Sequence, residues 1–203
     1  SSMGGLDPNG VFFQPLGVNG RTCASCHQLS QGMSISAAST LGLFNSTNGS
    51  DPLFNAVDGA NCTTAPAGDA GQRSLMLNKA LVRIPVELPK GAQFTIAAIH
   101  DPYDCAISTS ATTGQQIISV YRRPLPAASL PYISHIMWDT RQTIAPLNVA
   151  ATFSVNLNSG LTAQSVSAVA SHMQAAVSPT SEQTAAIVAL ELGLFTAQAT
   201  DTL

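Results

Sequence analysis

Charge is what this chain has least of. Charged side chains make up only 9% of its 203 residues, against roughly 25% in ordinary soluble domains. The eight basic and eleven acidic residues give a net charge of -3 and form no run. Recognition of nucleic acid needs a basic face, and so few scattered cations cannot build one. Ser, Thr, Asn and Gln must supply the polar surface. Such a surface has little like-charge repulsion to keep copies apart, which leaves room for a docking partner or for self-association. Aromatic residues are also scarce, at 5%, with Trp138 the single tryptophan. No apolar run approaches the roughly 20 residues that span a bilayer. No secretory apolar region opens the chain, so Ser1 reads as a processed or engineered terminus. Hydrophobic residues nevertheless reach 45%, enough for a core.

The four cysteines fall into two kinds. Cys62 and Cys105 stand far apart in turn-rich sequence, and a disulfide between them is their simplest use, two free buried thiols being the alternative. Cys23 and Cys26 lie in Cys23-Ala-Ser-Cys-His27. This C-x-x-C-H spacing suits covalent haem attachment: two thiols meet the porphyrin vinyl groups, and the adjacent histidine reaches the iron. A redox dithiol needs no following histidine and usually follows a strand, whereas Gly-rich sequence precedes this motif. A zinc site needs a second ligand pair, and Cys62 and Cys105 form no knuckle. The motif therefore points to one covalent haem c, with Cys23 and Cys26 as attachment residues and His27 as an axial ligand. Both the haem motif and a disulfide favour a periplasmic or extracellular setting.

Elsewhere the pattern changes by segment. Residues 45–72, rich in Asn, Asp, Gly, Pro and Thr, read as an ordered loop. Leu81–Leu88 alternates with a period of two, Pro89-Lys90-Gly91-Ala92 reads as a turn, and Phe94–Ile99 as the returning strand of a hairpin. Pro85 places the first of these strands at a sheet edge. Gln116–Tyr121 is a third short strand. Thr162–Val177 carries Val166, Val169, Met173 and Val177 on one helical stripe. Thr180 with Gln183 forms a capping box that opens a last helix running to about Gln198, with Ile187, Leu190 and Leu194 on its apolar face. These readings give a mainly α fold, a cytochrome c-like helical haem domain with a β-hairpin insertion (about 81–100) and long ordered loops, in one domain over 1–203.

The second axial position decides between carrier and catalyst, because a Met or His would close the iron and an open site would admit peroxide. His100, His135, His172, Met33, Met76, Met137 and Met173 are the candidates. His172 projects from a predicted apolar helix face, where an imidazole needs a partner, and it is the preferred ligand. The alternative is a core histidine bonded to backbone. Trp138 reads either as a buried anchor beside an Asp139–Arg141 pair or as an indole that relays electrons at the haem edge.

Five segments carry a family likeness in the same order: Asn19-Gly-Arg-Thr-Cys-Ala-Ser-Cys-His-Gln28, Phe54-Asn-Ala-Val-Asp-Gly59, Arg122-Arg-Pro-Leu-Pro126, Met137-Trp-Asp-Thr-Arg141 and Glu191-Leu-Gly-Leu-Phe195. Together they resemble the haem-bearing N-terminal half of the bacterial di-haem cytochrome c peroxidase and MauG superfamily. The resemblance implies that Trp138 relays electrons between haems and that His172 is the distal ligand. Two departures stand out. Thr140 replaces the glycine of the family's Trp-Asp-Gly-Arg, and there is no second C-x-x-C-H. No residue matches the family's catalytic carboxylate; Glu182 and Glu191 belong to the last predicted helix. The expected function is electron transfer by a single-haem cytochrome, with a redox partner protein or a second haem domain as partner. The alternatives are the haem-bearing half of a peroxidase-type enzyme and a self-assembling cytochrome subunit.

Overall fold

The computed structural model describes residues 6–105, 107–143 and 153–196, the side chains of 153–156 excepted. In chain order it contains α1 (Cys23–Cys26), α2 (Ala37–Thr47), α3 (Ser74–Lys79), β1 (Val82–Glu87), β2 (Ser108–Thr109), β3 (Gln116–Arg122), α4 (Phe153–His172) and α5 (Ser181–Gly193), joined by short 3-10 turns. The mainly α expectation does not hold. Helices account for 37% of the protein and a three-stranded antiparallel sheet for 10%, so helix and sheet coexist. The chain forms two compact units, Ser1–Ser34 with Leu125–Leu203, and Ile35–Pro124. The sheet lies wholly in the second.

In that second unit the strand order is β1-β3-β2. β1 runs antiparallel to β3, with Val82 opposite Arg122 and Glu87 opposite Ile117. Pro85 sits in β1 at the sheet edge, where a missing N–H costs no ladder bond. The returning strand, however, is β3 and not Phe94–Ile99. That stretch forms no strand, and Phe94 and Ile99 are exposed. Alternation tells which face of a strand is buried but leaves its partner open. The pairing goes to β3, which a turn leads into through Gly114 N–H donating to the Ser110 carbonyl at 2.9 Å.

Asn/Gly-rich sequence around residues 45–72 is held by buried polar side chains. Arg73 donates through Nε to the Phe54 carbonyl at 3.0 Å and through Nη1 to the Asp69 carbonyl at 3.0 Å. Asn61 donates to the Gly71 carbonyl and to Ser74 Oγ, and accepts from the Leu75 N–H. Buried carbonyls without partners are costly, so these side chains replace the bonds that regular structure would have made. Cys62 and Cys105 form a disulfide, with 5.4 Å between their Cα atoms. Asp101 shapes its end of the bridge, its carboxylate accepting from the Tyr103 and Cys105 N–H groups.

The first unit is organised by its last two helices. α4 buries Leu157, Leu161, Ser165 and Val169, one stripe at intervals of four. It starts before the predicted Thr162 and stops at His172, short of Val177, which is 80% exposed. The predicted stripe therefore keeps Val169 and the buried Met173 but loses Val177. α5 begins as expected: Thr180 Oγ1 accepts from the Gln183 N–H at 3.2 Å, and Gln183 Oε1 accepts from the Thr180 N–H at 2.8 Å. It ends at Gly193 and not near Gln198; residues beyond Thr196 lie outside the described ones. Ile187 and Leu194 join Phe12, Met33 and Ala127 in one apolar cluster, and Cys23 and Ala24 pack against it.

Candidate functional site

The two motif cysteines stand one helical turn apart. Thr22 caps α1, its hydroxyl accepting from the Ser25 N–H at 3.2 Å while Ser25 Oγ accepts from the Thr22 N–H at 3.1 Å. This reciprocal cap fixes a turn too short to persist by itself. His27 closes the turn, its backbone N–H donating to the Cys23 carbonyl at 2.9 Å. Neither thiol is in a disulfide, and both are half-buried. Burial first, and then the charge of Glu191, push the Cys23 thiol up to about 12, so it is a neutral thiol and not an activated nucleophile.

His27 is oriented by the next loop. The Met33 carbonyl lies 3.0 Å from His27 Nδ1. A carbonyl can only accept, so Nδ1 carries the hydrogen and Nε2 keeps its lone pair whenever the ring is neutral. Burial lowers the His27 pKa, and a charge on His172 lowers it further, against the Met33 and Leu125 carbonyls. The neutral ring is therefore the favoured form, the one that can bind a metal.

His172 ends α4 within electrostatic range of His27. Its own pKa is pushed down to about 4, by burial first and then by Arg21 and Arg141. Its backbone carbonyl accepts from Asn19 Nδ2 at 2.8 Å and from Arg21 Nη1 at 3.3 Å. Arg21 is only 2% exposed. The segment just ahead of the cysteines thus caps the helix that bears the second histidine. Gly17 makes the approach possible, since a Cβ there would fall 1.9 Å from the Met173 carbonyl oxygen. Neither Asn19 nor Arg21 was a site candidate from sequence.

Trp138 is 66% exposed and so is not a buried anchor. The Asp139–Arg141 pair beside it does form, with Arg141 Nη1 2.8 Å from Asp139 Oδ2. Thr140 holds φ at +60°, the left-handed conformation that favours glycine. Among the other ligand candidates, His135 is exposed with its Nδ1 2.7 Å from Ser134 Oγ, and His100 is exposed in the second unit.

Among the described residues no three His, Cys, Asp or Glu side chains converge as a metal cage. Cys23, Cys26 and His27 therefore do not aim at one point as zinc ligands do. Covalent haem asks instead for two thiols at the rim of a flat ring and an imidazole at its centre; the capped Cys23–Cys26 turn followed by His27, with Nδ1 at the Met33 carbonyl, offers that donor set. No family model, curated protein or solved structure matches this chain. Among the described residues no helix is long and apolar enough to cross a membrane.

Proposed function

We propose that this chain is a c-type cytochrome that transfers electrons outside the cytoplasm. Cys23 and Cys26 would hold one haem through thioether bonds, and His27 and His172 would ligate its iron. The observation that carries this reading is the capped turn Cys23–Cys26, closed by an imidazole whose Nδ1 is already engaged by the Met33 carbonyl. A haem bound there supplies an iron that exchanges one electron.

The remaining work belongs to the chain. The Thr22–Ser25 cap sets the thiol spacing, and the Met33 carbonyl orients His27 and strengthens it as a ligand. Asn19 and Arg21 hold the backbone of His172, and burial keeps its ring neutral. With both imidazoles bound the iron would have no open position, which favours a carrier over a peroxide-cleaving enzyme. The likeness to the N-terminal half of di-haem peroxidases fits the same residues, with Trp138 as an exposed relay toward a redox partner protein or a second haem domain. Exposed apolar side chains in this unit, Val18 and Val177 among them, suit a small and weakly charged redox encounter. The disulfide and the thioether chemistry both belong to the periplasm or the extracellular space.

The mass of the unfolded protein tests the reading. It should exceed that of the chain by one haem, and the colour should survive acid–acetone extraction. Haem that extracts freely, or stoichiometric zinc in its place, overturns it.

A further inference from the structure

One buried ionisable group has no part in ligation or attachment. Glu191 lies on the α5 face that carries Ile187 and Val188, is 6% exposed, and its Oε2 has no hydrogen-bond partner among the described residues. Its charge acts on Cys23, which packs against the same apolar cluster. Among the described residues, the elements packed on α5 bring it no cation. The turn Val11–Phe13 carries no charged residue, and the turn Leu130–Tyr132 offers only the exposed Tyr132. On α4 the ionisable residue is His172, on α1 they are Cys23 and Cys26, and Glu182 on α5 itself is exposed. A carboxylate so placed is costly, and burial pushes the Glu191 pKa up to about 7.

We infer that Glu191 is the proton acceptor coupled to the electron: it takes a proton from solvent when a redox partner delivers one electron, and returns it when the electron leaves. The inference rests on the cytochrome reading above. Cys23 is bonded to the edge of the macrocycle in that reading, so a carboxyl that acts on Cys23 also feels the charge of the ring. Adding an electron removes one positive charge from the iron, and the Glu191 carboxylate then becomes less favourable beside it. The step balances as one electron from the partner and one proton from water, onto Oε2.

The sign follows from the two limits. At low pH Glu191 is protonated in both redox states and the potential is flat. At high pH it is ionised in both, and the potential is flat again but lower, because negative charge favours the oxidised iron. Between them each pH unit shifts the redox equilibrium by at most tenfold, about 59 mV for one electron.

The test is a potentiometric titration of the holoprotein, followed by haem absorption, for wild type, Glu191→Gln and Glu182→Gln. Wild type and Glu182→Gln should show the sloping region around neutral pH. Glu191→Gln should be flat at the acid plateau of the wild type. An infrared difference spectrum of the wild type alone should show a protonated carboxyl C=O band gained on reduction, which keeps the inference testable if Glu191→Gln does not fold. A flat wild-type profile, an equal slope in Glu191→Gln, or no carboxyl band overturns it. A protein whose mass shows no covalent haem sinks the cytochrome reading first, and this inference with it.

Discussion

Gly17→Ala tests whether the segment ahead of the cysteines is seated on the end of α4. The added Cβ would lie 1.9 Å from the Met173 carbonyl oxygen, 2.5 Å from its carbon and 2.8 Å from its Cβ. Real contacts of a Cβ hardly fall below 3.0 Å, so one backbone must retreat by about 1 Å. Nothing flexible is available to yield, because the atoms met are backbone and Cβ of a residue that is itself buried. Overpacking costs about 1–3 kcal/mol, and the upper half of that range applies to a backbone clash. With a urea dependence of about 2 kcal/mol/M, the unfolding midpoint should fall by about 1 M. The displacement should also reach the iron site, because Met173 follows His172, whose carbonyl is held by Asn19 and Arg21. The oxidised holoprotein should accordingly gain a high-spin fraction. Gly42 is the matched control: it is exposed inside α2 with nothing within 4 Å of an added Cβ. Gly42→Ala should stabilise by about 0.5–1 kcal/mol and leave the spectrum alone. If Gly17→Ala unfolds at the wild-type midpoint with an unchanged spectrum, the seating of this segment on α4 is wrong.

Other consequences can be checked more briefly. His172→Ala should turn a low-spin oxidised spectrum high-spin and admit small ligands; an untouched spectrum would make His172 a core residue and pass attention to Met173 and Met137. Alkylation of the unreduced, unfolded protein should spare Cys62 and Cys105, and replacing both should cost about 4 kcal/mol on the loop-entropy estimate. Thr140→Gly should be stabilising by about 1 kcal/mol, read as a raised melting temperature, because it relieves a β-branched residue at positive φ. The acid limb should show two opposed linkages. Burial lowers the His172 pKa from 6.5 to about 4, so the stability of its neutral ring is complete above pH 6.5 and drains as pH falls toward 4. Burial raises the Glu191 pKa from 4.5 to about 7, so its contribution is complete below pH 4.5 and is lost as pH rises toward 7. Glu191→Gln should therefore steepen the loss of stability on acidification, as chemical denaturation at several pH values would show; an unchanged slope would argue against a buried acid.

The residues that were readable are those whose meaning is local. The Thr180–Gln183 box opens α5 where its spacing demands, because both partners lie within one turn. Pro85 lies on an edge strand for an equally local reason, the hydrogen it lacks. The errors arise where a partner had to be chosen at long range. Phe94–Ile99 is apolar enough for a strand, yet β1 pairs with β3, and nothing in an alternating pattern distinguishes the two. The end of α4 is set by Asn19 and Arg21 reaching the carbonyl of His172. A carbonyl has no residue identity, so no motif could have revealed that cap, nor the Met33 carbonyl that orients His27.

Glu191 is different, because its signal was present in the sequence. It stands four residues after Ile187 and three before Leu194, on the stripe identified as the apolar face of the last helix. In a protein with 9% charged residues, surface is built almost entirely from uncharged side chains, so a carboxylate on a core-facing stripe is not there for solubility. Periodicity alone marks it as buried, and the one further fact needed is which element it faces. That element is the one bearing Cys23. The same reasoning ranks the acids of this unit: Glu182, in the first turn of α5 and exposed, is held below its usual range by backbone N–H and Thr180 hydrogen bonds and serves the helix end. Two glutamates on one helix thus have opposite shifts for opposite reasons, and only the buried one is poised to exchange a proton near neutral pH.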